Sequence, residues 1–215
     1  MPNIMITLDW NQSGQEWKKG SLNEGKKMLQ DGYGIADDDC IDLFPDSLPI
    51  GKTLTGDTII ISAHAGNGTL GFNTDTRLSA LGLFNKLKDI QDISRLEKIV
   101  IYACSMGVEV DSKESFASTL ARSFSEMKQP VLVYAPLGIS AFNSATAKFS
   151  VRNHVNDKNE LPSDKSWVRC QPLISGTVDV LITSEPEMPY IKPEKIDYDA
   201  IGDWKIEVVE TGESQ

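Results

Sequence analysis

Three short apolar runs constrain this chain more than anything else in it: Thr58-Ile59-Ile60-Ile61, Ile99-Val100-Ile101-Tyr102 and Val131-Leu132-Val133-Tyr134. Each is rich in β-branched residues, too short for a helix, and free of apolar–polar alternation. Runs of that kind read as strands covered on both faces, as in a parallel sheet. The segments between them carry helical spacing. Leu78, Leu81, Phe84, Leu87 and Ile90 recur every three residues after the cap candidates Thr74 and Asp75. Phe116, Leu120 and Phe124 recur every four residues after Asp111, with Glu114 completing a second cap pattern. Strand, helix, strand, helix, strand predicts right-handed crossovers and an α/β fold with a helix-covered sheet.

The flanking segments are less regular. Asn3 to Leu8 alternates into a first strand, and Ser21-Leu22-Asn23-Glu24 is a capping-box pattern that opens a short helix through Leu29, stopped near Gly32. Gly34 to Gly56 reads mostly as loop, with a short edge strand at Cys40 to Phe44. Beyond Pro136, Ala147, Phe149 and Val151 alternate with polar residues, which predicts a strand with one wet face. Trp167 to Ile174, Thr177 to Thr183 and Asp203 to Glu210 are further strand candidates. Ser184 to Lys195, with Pro186, Pro189 and Pro193, reads as a connection or a wrapping arm. The expected organisation is one domain over residues 1–172, followed by an extension over residues 173–215 that adds strands or wraps the core.

A net charge of −10 without a basic block disfavours nucleic acid and anionic membranes as partners, and mildly favours neutral or cationic ones. Cys40, Cys104 and Cys170 are an odd number without close spacing, which suggests neither a disulfide framework nor a zinc site but free thiols in a reducing compartment. Met1 to Leu8 has a short apolar run but no basic flank and no cleavage site. The expectation is a cytoplasmic protein, or one exported without a cleaved signal.

Two residues with catalytic capacity sit where an open parallel sheet gathers its ligands, at the carboxyl ends of strands. His64 follows Ile59-Ile60-Ile61-Ser62-Ala63, and Cys104 follows Ile99-Val100-Ile101-Tyr102-Ala103. A single crossover helix between the two strands predicts that they are neighbours. A thiolate is the nucleophilic form of cysteine, and an adjacent imidazole stabilises it or protonates a leaving amine. Small residues follow both, Ala65-Gly66-Asn67-Gly68 and Ser105-Met106-Gly107. They let a substrate backbone approach and offer N–H groups to a developing oxyanion.

Ile-Ile-Ile-Ser-Ala-His64-Ala-Gly and Ile-Val-Ile-Tyr-Ala-Cys104-Ser-Met-Gly, forty residues apart, resemble the paired motifs of the caspase-like cysteine peptidases. That group includes caspases, legumains, gingipains, separases and the self-cleaving domains of bacterial toxins. The resemblance spans Ile4 to Tyr134 as an order of elements and about fifteen residues as motif. It implies a three-layer α/β/α sandwich with a mostly parallel sheet, endopeptidase activity through a Cys104–His64 dyad, and no metal or cofactor. It also implies polypeptide substrates, this protein's own chain among them. One position departs from the pattern. The group carries Gly directly after the histidine, where its N–H serves the oxyanion; here Ala65 stands there and Gly66 comes next. Either Ala65 supplies the N–H, or Gly66 does, or the site is inactive. The loop after the first strand often lines the specificity pocket in this group; here it begins at Asp9, which either favours cleavage after Arg or Lys or serves only to form a turn.

Other readings compete. Gly66-Asn67-Gly68 invites a nucleotide- or ADP-ribose-binding loop, although it lacks the ending of a P-loop and the full Gly series of a dinucleotide site. A non-catalytic interaction module on the same scaffold is the other alternative. Cys40 and Cys170 read as structural thiols, and His154 as a surface residue.

Overall fold

The computed structural model describes residues 4–8, 16–43, 53–54, 56–66, 68–71, 77–110, 112–143, 148–153, 159–173 and 175–188. The fold is α/β, built on one seven-stranded sheet. Five strands run parallel: β1 (Ile4–Leu8), β2 (Cys40–Asp42), β3 (Thr58–Ala63), β6 (Lys98–Tyr102) and β7 (Leu132–Pro136). Two antiparallel strands, β10 (Trp167–Pro172) and β11 (Val178–Thr183), extend the sheet past β7. The spatial order is β11-β10-β7-β6-β3-β1-β2. The three apolar runs thus form the inner parallel strands, and Cys40–Asp42 forms the edge strand expected near it. β11, in the stretch read as an extension, completes the same sheet. The expected strand at Asp203 to Glu210 and most of the Pro-rich arm lie outside the described residues.

Side chains alternate between two cores. Ile59, Ile61, Ile99, Ile101 and Val133 face helices α2 (Ala80–Leu87) and α3 (Phe116–Glu126), where Leu83, Leu87, Leu120 and Phe124 meet them. Ile60, Val100 and Tyr102 face the other way, against Leu29 and Tyr33 of helix α1 (Glu16–Tyr33) and Val151 of strand β9 (Lys148–Arg152). β9 forms a separate hairpin with β8 (Ile139–Asn143). Ile59, Ile60, Ile61, Ile99, Val100 and Ile101 are all fully buried, and each contributes about 1.5–3 kcal/mol through removal from water. Double-sided burial explains why these runs show no polar alternation.

Helix boundaries differ from the sequence reading in three places. α1 starts at Glu16, so the Ser21–Glu24 pattern lies inside the helix instead of opening it. It ends at Tyr33, close to the stop read near Gly32, where Gly34 adopts φ 66 and closes a Schellman turn. There the Gly34 N–H donates to Asp31 at 3.4 Å and the Ile35 N–H donates to Gln30 at 2.8 Å. α2 is capped by Ser79, whose hydroxyl accepts from the Gly82 N–H at 3.1 Å, and not by Thr74 or Asp75, which lie outside the described residues. α3 is capped by Ser115, accepting from the Ser118 N–H at 3.1 Å; Asp111 lies outside the described residues. In both crossovers the side chain immediately before the first helical residue takes the orphan N–H.

Candidate active site

β3 and β6 pair in register from Thr58↔Lys98 to Ser62↔Tyr102. That offset equals the spacing between His64 and Cys104. Each therefore leaves the sheet two residues past the last pair, level with the other at the carboxyl rim of adjacent strands, which lie about 4.8 Å apart. Both are half-buried. The carbonyl of His64 accepts from the Gly71 N–H at 2.8 Å, which ties the following hairpin to the histidine's own main chain.

Cys104 opens into a cleft of about 520 Å³, lined also by Ala65, Gly66, Gly68 and all of the exit loop from Ser105 to Val110 but Gly107. That loop is held hard against the sheet. The Ser105 N–H donates to the Gly138 carbonyl at 2.7 Å, and the Gly107 N–H donates to Pro136 at 3.0 Å. A Cβ on Gly107 would lie 2.6 Å from the Val168 side chain and 3.1 Å from two carbonyl oxygens, so the loop can pass only as glycine. Ser105 takes φ 57, a left-handed conformation that costs a non-glycine residue about 1 kcal/mol. The N–H groups of Ser105 and Gly107 are thus engaged with β7 and its exit, and do not serve an oxyanion.

Burial pushes the Cys104 thiol above its ordinary range, and backbone hydrogen bonding at Ser140 and at Cys104 itself draws it part of the way back. The sulfur lies 3.8 Å from the Ser140 carbonyl, to which the thiol donates. The resting group is therefore a protonated thiol. The first helix after Cys104, α3, begins only at Phe116, and its Ala117 N–H donates to the Met106 carbonyl at 3.1 Å.

The residues after His64 form a two-stranded hairpin, β4 (Ala65–Gly66) and β5 (Thr69–Leu70). Leu70 exchanges both its main-chain bonds with Leu78, at 2.9 and 2.8 Å, and so turns them away from β4. Ala65↔Leu70 is then the pair without ladder hydrogen bonds, flanked by hydrogen-bonded neighbours. By that alternation the Ala65 N–H points away from β5, on a residue that lines the cleft, whereas the Gly66 N–H points toward Thr69. Of the two donors left open by the sequence, the backbone pattern favours Ala65.

The hairpin also bears on the nucleotide-loop alternative. Gly66 and Gly68 flank its turn, Gly68 with φ 71, and the Thr69 hydroxyl donates to the Gly66 carbonyl at 2.8 Å. A phosphate loop opens onto a helix N-terminus, and this turn opens onto a strand. Asp9 and His154 lie outside the described residues. Cys40 is half-buried and donates to the Ala36 carbonyl at 3.7 Å; Cys170 is fully buried against Ser118 at 3.5 Å. Three residues of the site went unnoticed in the sequence. Ser140 comes from β8, far along the chain, and no local pattern marks it. Ile139, beside it, lines the cleft. Glu109 sits five residues after Cys104 in the same exit loop, and the position of that loop at a strand's carboxyl end was the available signal.

Compared with protein-family models and with curated protein sequences, the chain matches none.

Proposed function

We propose that this protein is a caspase-like cysteine endopeptidase, with Cys104 as nucleophile and His64 as proton carrier. The observation that carries the reading is the level exit of the two residues from adjacent parallel strands, with the sulfur on the wall of a cleft large enough for peptide side chains. Cys104 Sγ attacks the scissile carbonyl carbon while its proton passes to His64. The oxyanion forms beside the Ala65 and Cys104 N–H groups. The C–N bond then breaks as His64 protonates the leaving amine, and a water activated by His64 releases the acid and restores the thiol. Burial holds the thiol above its ordinary range, so the mechanism relies on His64 to take the proton.

The same raised thiol supports a second reading, a non-catalytic module on this scaffold. A peptide library separates the two. Under the peptidase reading the protein cleaves library members and Cys104→Ala abolishes cleavage, with stability changed by no more than about 1–2 kcal/mol, since a buried thiol packs as a small hydrophobe. Equal turnover by the protein and the Cys104→Ala variant contradicts the dyad, and no turnover by either favours the module.

A further inference from the structure

We infer that Glu109 selects peptides carrying a basic residue within one or two positions of the scissile bond. The inference rests on the peptidase reading and adds a substrate class to it. Cys104 and Glu109 line the same cleft, and among the described residues lining it Glu109 is the only charged one. The surrounding wall is aliphatic: Met106, Val108, Val110 and Ile139. Among the described residues Glu109 makes no ion pair and no hydrogen bond, whereas the nearby carboxylate Glu114 is paired with Arg122. An arginine or lysine matches this wall in both of its parts. Its methylene stem packs on Val108 and Val110, and its cation meets an otherwise unanswered carboxylate. Arginine fits better than lysine, because its planar fork offers two donors to one carboxylate. An acidic side chain in the same place would meet like charge, and the net charge of −10 adds to that bias.

The position of Glu109 also sets the size of the effect. It is exposed at the cleft mouth, so water and salt screen its charge. A preference of about five- to tenfold is expected, not the thousandfold of a buried charge pocket.

The test compares fluorogenic peptides that differ only in arginine, citrulline or glutamate at each position flanking the bond. Citrulline keeps the stem and the planar head but not the charge. With the intact protein, kcat/KM for the arginine peptide should exceed that for citrulline by about five- to tenfold, and the ratio should shrink as salt rises. Glu109→Gln should bring the ratio to about one, and Glu109→Lys should favour glutamate over arginine. Melting curves check that both variants fold. Equal cleavage of arginine and citrulline peptides overturns the inference and leaves the peptidase reading standing, provided that cleavage still requires Cys104. An arginine preference that survives Glu109→Gln also overturns it, since another carboxylate then reads the cation. Absence of any Cys104-dependent cleavage overturns both.

Discussion

At the scale of single residues, the placement of His64 and Cys104 at one rim was legible in the sequence because each follows an apolar run that reads as a strand. The equality of their spacing with the β3–β6 register is what turns two suggestive residues into neighbours. The main-chain partners were not legible. Whether Ala65 or Gly66 presents its N–H depends on a bond between Leu70 and Leu78, and Ser140 reaches the sulfur through the fold alone. Gly107 carries a sharp expectation. Its missing Cβ is filled by Val168 and by the carbonyls of Ala135 and Pro136, so Gly107→Ala should cost about 1–3 kcal/mol in denaturant unfolding and lower turnover by shifting Cys104. Gly66→Ala should leave stability within about 0.5 kcal/mol, because its added methyl meets open space. Ser140 gives the opposite kind of test: its buried hydroxyl has no partner, so Ser140→Ala should leave stability unchanged or slightly raised.

At the scale of elements, the inner strands were read correctly and the helix starts were not. A strand buried on both faces leaves a continuous apolar run that few other structures produce. A cap is one side chain among several polar neighbours, and tertiary packing decides which of them the helix begins on. Ser79 and Ser115 each accept a first-turn N–H. Replacing either with alanine should lower unfolding free energy by about 1 kcal/mol. The Ser21–Glu24 pattern was misleading in the same way: it lies inside α1, which begins at Glu16. Hairpin β8–β9 was only half seen. Phe149 and Val151 mark β9, whereas Ile139–Asn143 is short and mixed, and its strand pairing becomes apparent only opposite β9.

At the scale of the whole molecule, the parallel order of β1, β3, β6 and β7 sends the exits of these strands to one rim, and the cleft forms there because two consecutive exits differ in shape. One turns back as a hairpin after His64, and the other runs out along β7 after Cys104. The opposite core holds a feature with a global consequence. Tyr33 and Tyr102 are buried with their hydroxyls 3.0 Å apart, and burial raises both phenols above their ordinary range. The three thiols are raised as well, chiefly by burial. Groups held neutral in the fold favour it fully below the pH at which their unfolded counterparts ionise. Above that pH the unfolded chain releases protons that the folded one retains, so stability falls. Unfolding free energy should therefore decline above about pH 8.5, as unfolded thiols ionise, and more steeply above about pH 10, as phenols follow. Chemical denaturation between those limits checks the decline, and a flat profile contradicts the burial of these groups.

The central claim is that His64 and Cys104 act together on one substrate carbonyl. Covalent labelling with a peptidyl acyloxymethyl ketone bearing arginine, mapped by mass spectrometry, tests it most directly. The account predicts one adduct, on Cys104, formed much more slowly when His64 is replaced by alanine. Labelling spread over Cys40 and Cys104 alike, at a rate indifferent to His64, would contradict it.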